Sequence, residues 1–339
     1  MTEEQLLWEQ PDWLEEARAW TEASLNRFGA RITEPITQPH IRPWSTVLRA
    51  QTDQGVYFFK ATVTMLSHEA ALTQALYNWQ PDRIQTVLAA DSERSWMLMP
   101  DESPMLRAII QSPADLHHWE KILPLFADFQ RKMIPRQADL LALGMLDRRM
   151  VGLTTAFERL LQDRAALLVG TEEGLSEEQY RQLIGLVPAF AEMCARLAAS
   201  GIPETLHHDD FHDANVFVPG GRYVFSDWGE SCVTHPFFSM LVCLRSICYR
   251  FDWPYGSGEH KYQWAPEILR LRDIYLASWT SYGSTADLLE IFKMAWRVAM
   301  VNRALTWHRV VSHLPAVYRE KHAYTVPAWL GEFLDAMAE

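Results

Sequence analysis

The sequence predicts an α+β protein in which β structure gathers towards the N-terminus and helices fill the rest. Three observations carry that expectation. Residues from about Ile36 to Pro100 alternate short strand-like runs with a single helix after Ser67. From Asp101 onward the pattern is predominantly helical, and the one clear β signal there is a hairpin after Asn215. With 339 residues and a hydrophobic fraction of 48%, the chain can bury one large core or two modest ones.

Taken in order, the stretch up to about Gln38 has helical patterning around Trp8, Trp13, Leu14, Ala17, Trp20, Leu25 and Phe28, which predicts an amphipathic helix. Gly55 to Ala61 is a strand-like run with Lys60 inside it, and Ser67 to Leu72, containing Glu69, opens a helix. A lysine in an apolar strand is costly to bury unless its ammonium meets an anion. The alternative is a stem lying on the sheet with its head reaching water. Ser95 to Met99 reads as a buried strand stopped by Pro100. Helices are then expected at about Ala114 to Met133, Gly144 to Arg164, Ser176 to Ala199, Phe237 to Tyr249, Tyr262 to Tyr282 and Ala286 to His308. In the third of these, Leu183, Leu186, Val187, Phe190, Met193, Cys194 and Leu197 recur at helical spacing, and Gly201-Ile202-Pro203 ends it.

The run His208-Asp209-Asp210-Phe211-His212-Asp213-Ala214-Asn215, followed by Ser226-Asp227-Trp228, carries the chemistry. Asp210 can receive the proton of an attacking hydroxyl, and the oxygens of Asn215 and Asp227 are hard ligands suited to Mg²⁺ carrying nucleotide phosphates. Val216 to Val218 and Arg222 to Ser226 flank Pro219-Gly220-Gly221 as a three-residue hairpin loop. Pairing symmetric about Gly220 sets Asn215 opposite Phe225, with Asp227 two residues on and on the same face.

These residues resemble the aminoglycoside phosphotransferase family, a branch of the protein-kinase-like fold whose signature reads His-Gly-Asp, four residues, Asn, then a strand ending in Asp. The resemblance implies a bilobal fold with a small β-sheet N-lobe and a large, mainly helical C-lobe. Residues 1–100, with the N-terminal helix, would bind nucleotide; residues 101–339 would hold the catalytic loop and the substrate site. It implies Asp210 as the catalytic aspartate, Asn215 and Asp227 as magnesium ligands, and Lys60 paired with Glu69 on the α and β phosphates of ATP or GTP. Met97, Leu98 and Met99 would form the hinge strand that meets the adenine, although a Met-rich strand also serves as plain core. The phosphate-covering loop would fall at His40 to Leu48. It has no glycine, so Ser45 and Thr46 would offer hydroxyl and backbone donors, or the stretch is an ordinary turn.

Several positions depart from the family pattern. Asp209 replaces the usual glycine and Asp213-Ala214 a usual proline and glycine, while His235 and Ser239 stand where relatives carry aspartates. Asp209 and Asp213 would attract an amine-bearing acceptor, or else point to solvent and cap a turn, respectively. Glu230 would hold a second metal or brace its loop, the second being favoured. This points to a branch apart from the drug-resistance enzymes proper. Trp253, Tyr255, Trp264, Trp279, Tyr282, Trp296 and Trp307 supply rings for a core or for a substrate pocket, and Trp253 to Glu259 is a candidate mobile loop near substrate.

Bulk features fit a soluble, cytoplasmic enzyme, and the resemblance implies a small hydroxyl compound as its acceptor. No apolar run approaches a membrane span, and Met1 to Gln5 lacks a basic start. Cys194, Cys232, Cys243 and Cys248 show neither zinc-type spacing nor the density of a disulfide scaffold. The formal charge of −12, from 31 basic and 43 acidic residues, argues against a nucleic-acid or anionic-membrane surface. Two other classes stay open: a catalytically silent nucleotide-binding relative, and a metal-dependent phosphohydrolase built on His207, His208, Asp209, Asp210 and His212 with help from His117 and His118.

Overall fold

Alternation in the early strands sorts their side chains onto two faces, and the chain covers one of these faces with its N-terminal helix. The computed structural model describes residues 6–254 and 264–338. Its elements run α1 (Pro11–Arg27), β1 (Thr37–Ile41), β2 (Ser45–Thr52), β3 (Gly55–Thr62), α2 (His68–Trp79), β4 (Ala89–Asp91), β5 (Trp96–Pro100), α3 (Leu106–Ile109), α4 (His117–Met133), α5 (Gln137–Ala142), β6 (Leu146–Asp147), α6 (Met150–Gln162), α7 (Glu177–Ala198) and β7 (Thr205–His207). There follow β8 (Val216–Phe217), β9 (Val224–Phe225), β10 (Cys232–Thr234), α8 (Ser239–Arg250), α9 (Pro266–Ala277), α10 (Thr285–Ser312), α11 (Ala316–His322) and α12 (Thr325–Met337).

The chain divides into two compact units. The first runs to Met105 and includes Val216–Gly229 and His313–Lys321. Its antiparallel sheet has the order β1-β2-β3-β5-β4. Leu48, Ala50, Phe59, Ala61, Trp96 and Leu98 point to one face, where they pack with Ala17 and Leu25 of α1. Trp13 and Trp20 set their rings edge-on to Phe59 and Trp96 at 5.7–6.1 Å, which closes that layer. The opposite face carries a smaller cluster of Ala70, Val87, Met97 and Met99. Lys60 stands opposite Met97 in the β3–β5 pairing and so belongs to this second face.

The β8–β9 ribbon pairs Val216 with Phe225 and Phe217 with Val224. That register is one residue away from the expected pairing of Asn215 with Phe225. The loop is longer than three residues because Arg222 N–H closes a turn onto the Pro219 carbonyl and Val218 N–H is taken by the carbonyl of Pro104. Gly220 and Gly221 supply the positive φ of 56° and 84° that this turn needs.

The second unit comprises Leu106–Asn215, Glu230–Ser312 and the chain from His322. Trp119, Ile122, Leu123, Phe126, Ala127, Phe129, Gln130 and Met133 form the buried stripe of α4. Helix α7 starts with a capping box: Ser176 Oγ accepts from Gln179 N–H and the Gln179 side chain returns to Ser176 N–H. Buried Gln130 donates to the carbonyls of Leu206 (3.0 Å) and Pro236 (3.1 Å), accepts from Tyr275 O–H (2.6 Å), and its own carbonyl accepts from Thr205 (2.8 Å). One amide thus ties α4 and α9 to β7, the strand that leads into the Asp210 loop.

Three expectations need correction here. The second part also contains a sheet, β6-β10-β7, in which Leu146 pairs parallel with Cys232. The helix expected from Gly144 therefore begins only at Met150, after a left-handed Gly144 (φ 93°) and β6. Helices α11 and α12 lie beyond those anticipated. The residues Met1 to Gln5, the Tyr255 to Glu259 part of the candidate loop, and Tyr262 at the start of the expected helix fall outside the described residues. Of the aromatic stock, Trp279 and Trp296 are core. Among the described residues no helix is long and apolar enough to cross a membrane.

Candidate active site

In the first unit, burial makes Lys60 a demanding residue. Its side chain is only 12% exposed, and an ammonium taken out of water must find anions. It finds two: Glu69 Oε1 at 2.6 Å and Asp227 Oδ1 at 2.7 Å. Glu69 lies in the first turn of α2, where a carboxylate also suits the helix N-terminus. Its other oxygen is buried without a partner, and a Cβ added at Gly229 would sit 3.2 Å from it. Asp227 has φ 64°, a left-handed conformation that costs a non-glycine residue about 1–2 kcal/mol. The chain leaves the strand at this point, so the two-residue alternation cannot be extended to Asp227.

Burial lowers the proton affinity of Lys60, but Asp227 and Glu69 outweigh it and hold the ammonium above its ordinary range. Burial pushes the Glu69 carboxyl up to about 7; Lys60 pulls against this shift and Asp227 adds to it. Two carboxylates share one ammonium, and half-exposed Asp227 is the one placed to take a different cation.

The stretch expected to cover phosphates is a tight turn in which Arg42 N–H donates to the Ser45 carbonyl at 2.8 Å. Ser45 pairs with Thr62, which puts it on the Lys60 side of the sheet. Thr46 does not share that side. It stands opposite Ala61, on the face covered by α1, where its hydroxyl donates to the His40 carbonyl and accepts from Gln38. A phosphate-binding role for the Thr46 side chain is thereby corrected. The hinge strand divides in the same way, with Met97 and Met99 on the Lys60 face and Leu98 packed into the α1 core, away from any nucleotide on the other face.

In the second unit, Asp210 sits on the loop after β7 with both carboxylate oxygens engaged. Oδ1 accepts from Arg303 Nη2 (3.0 Å), and Oδ2 accepts from His212 Nε2 (3.1 Å) and Asn215 Nδ2 (3.3 Å). Asn215 also donates to the Asp210 carbonyl at 2.8 Å, which orients its amide. Burial opposes the charge on Asp210, but the bond from His212 and the charge of Arg303 hold its pKa well below the usual carboxylate range. His212 is moved the other way: burial lowers it and Asp210 more than offsets this. Such an aspartate is a weak proton acceptor at rest and a good orienting group, as a loose phosphoryl-transfer transition state requires.

The carboxylates expected to face an acceptor are committed elsewhere. Asp209 is buried between His207 Nε2 (2.8 Å) and Arg303 Nη1 (3.3 Å); burial pushes it up, and the charge of Arg303 with the hydrogen bond from His207 brings it down to about 2. Asp213 accepts from Arg107 (2.7 Å) and Arg250 (2.9 Å), cations that tie it to α3 and α8. Glu230 pairs with Arg303 Nη1. Asp213 is thus met by two arginines of its own, whereas Asp209 and Glu230 share one guanidinium with Asp210, and Asp209 is buried rather than directed to solvent. Ser239, in place of an aspartate, links His207 Nδ1 (2.9 Å) and His208 N–H (3.1 Å). His235 caps a turn through Phe237 N–H, and burial pushes its imidazole down to about 3.

Arg303, in the middle of α10, escaped the sequence reading. Its signal was a charge set between Val301-Asn302 and Ala304-Leu305, since a cation on a buried helical stretch calls for buried anions. Of the histidines a hydrolytic metal centre would need, His207 and His212 have their rings engaged by these bonds. Among the described residues no group of three or more His, Cys, Asp or Glu could hold a metal ion.

A half-exposed carboxylate on a buried lysine–glutamate pair in the first unit, and an aspartate held by an asparagine five residues on in the second, are groups expected of a phosphotransferase of the protein-kinase-like fold, the class in which known proteins place this chain. The profile of the phosphotransferase enzyme family matches residues 45–270, and the chain belongs to that family. None of the curated proteins matches it. Solved structures share its fold at low identity. A macrolide 2′-phosphotransferase of type I has 14% identity and a TM-score of 0.56 over 92% of this chain and 96% of its own. A Plasmodium vivax ethanolamine kinase has 11% identity and a TM-score of 0.59, over 95% and 89%. A spectinomycin phosphotransferase in complex with ADP and spectinomycin has 11% identity and a TM-score of 0.51, over 95% and 98%.

Proposed function

We propose that this phosphotransferase moves the γ-phosphoryl group of ATP or GTP to a hydroxyl of a small molecule in the cytoplasm, with no nucleic-acid or membrane partner. The unit that runs to Met105 and takes in Val216–Gly229 and His313–Lys321 serves as the nucleotide-binding lobe in place of a contiguous 1–100, and the other unit as the catalytic and substrate lobe in place of 101–339. The observation that carries the reading is Lys60 bonded at once to Glu69 and to Asp227, a residue 167 positions further on. Lys60, kept in place by Glu69, meets the α and β phosphates; Met97 and Met99 line the adenine side; the Ser45 turn faces the phosphates. Asn215 and Asp227 hold Mg²⁺, for which an amide oxygen and a carboxylate are the right donors. The ion offsets charge on the triphosphate. Asp210 orients the attacking hydroxyl and takes its proton as the bond to phosphorus forms and the bond to the nucleoside diphosphate breaks.

The test is a phosphate-transfer screen with ATP and GTP across amino sugars, macrolides, amino alcohols and neutral sugars, with Asp210→Ala as control. Transfer by wild type alone supports the reading; equal turnover in the two proteins refutes it. Magnesium-dependent nucleotide binding without transfer to any acceptor would favour a silent relative, a reading for which the glycine-free turn at Ser45 speaks.

A further inference from the structure

We infer that Arg303 is a positioning residue that fixes the Asp210 carboxylate for the attacking hydroxyl, an inference that rests on the proposed role of Asp210. The guanidinium is 6% exposed and stands among three carboxylates: Asp210 at 3.0 Å through Nη2, and Asp209 at 3.3 Å together with Glu230 through Nη1. Its carbon lies 5.6 Å from the centre of the Trp307 ring, one turn further along α10. A planar fork with two ends can hold two partners at a set angle, which a lysine ammonium cannot do.

The geometry separates two functions within one side chain. Nη1 is spent on Asp209 and Glu230, which anchor the fork. Asp209 is itself fixed by His207, and His207 by Ser239 on α8. Nη2 is left for Oδ1 of Asp210, while His212 and Asn215 take Oδ2. Rotation of the Asp210 carboxylate is therefore blocked from both sides. Because most of the rate in phosphoryl transfer comes from positioning, freeing one side of that carboxylate should slow the chemical step and leave nucleotide binding intact.

Three measurements test this. In Arg303→Ala, kcat should fall about 100-fold with KM for magnesium-nucleotide changed by no more than about threefold. Millimolar guanidinium should restore part of the rate there and none in Asp210→Ala. Arg303→Lys, which keeps the charge and lacks the fork, should still lose about tenfold and guards against an alanine variant that fails to fold. A folded Arg303→Ala with kcat near wild type, or a loss in kcat and nucleotide KM together without guanidinium rescue, overturns the inference. A denaturant cycle of Arg303→Lys with Asp210→Asn needs no activity. Coupling of about tenfold in the unfolding constant supports the clamp, and strict additivity overturns it. Should wild type transfer phosphate to no acceptor, the proposed function falls, and this cycle still decides whether the two residues act as a pair.

Discussion

Each unit buries one long cation among carboxylates, and the two clusters are built to opposite ends. Around Lys60, a point charge is shared by Glu69, which is 1% exposed, and Asp227, which is 49% exposed, so one of the two anions can leave for another cation. Around Arg303, a rigid fork holds Asp209, Asp210 and Glu230, and the guanidinium itself is 6% exposed. The first arrangement suits a place where charge arrives with a ligand. The second suits a place where one carboxylate must not move.

The largest test of that contrast is Asp210→Ala, with transfer expected to drop about 10³-fold while magnesium-nucleotide affinity, measured by calorimetry, stays within about threefold. Asp227→Ala should do the reverse in kind. It should weaken magnesium-nucleotide binding by at least the roughly 10–100-fold seen when even a residue behind a metal ligand is lost. If both variants bound nucleotide equally poorly, the division of labour between the clusters would be wrong.

How far these clusters could be read from sequence follows from chain distance. Lys60 and Glu69 are nine residues apart, and Asp210 and Asn215 five, so each pair shows as a local motif. Arg303 reaches Asp210 from 93 residues further on, out of a helix whose composition announces only burial. The β-then-helix order was legible because strand alternation and helical spacing are local. The register of the β8–β9 ribbon and the strands β6, β7 and β10 were not. Two- and three-residue strands carry too few alternations to be seen, and their partners lie far off in the chain. Thr46 and Leu98 were misplaced for a related reason: which face of a strand meets a ligand depends on where α1 packs.

Acid and base should separate the clusters by sign. Glu69 is raised from 4.5 to about 7, so its contribution is complete below the lower value and is lost as pH rises towards the upper one. Asp209 is lowered from 3.8 to about 2, so its contribution is present above 3.8 and lost as pH falls towards 2. Denaturant midpoints of wild type relative to Glu69→Gln should decline between those two pH values of Glu69. Midpoints relative to Asp209→Asn should decline only in acid. Parallel curves in both comparisons would mean that the two sites do not differ in this way.

The smallest effects come from two glycines. At Gly229 an added methyl would lie 3.2 Å from Glu69 Oε2 and 3.6 Å from Leu66 Cδ1, so Gly229→Ala must push on the carboxylate that steadies Lys60. A loss of about 1 kcal/mol in stability is expected, with KM for nucleotide raised as the lysine shifts. At Gly185, inside α7, the added methyl meets nothing within 4 Å, so Gly185→Ala should gain roughly 0.5–1 kcal/mol by removing backbone freedom from the unfolded chain, and kinetics should not change. The pair of variants therefore compares a glycine kept for a close approach with one that merely interrupts a helix. If thermal unfolding moved the two in the same direction, the space against Glu69 would not be what Gly229 provides.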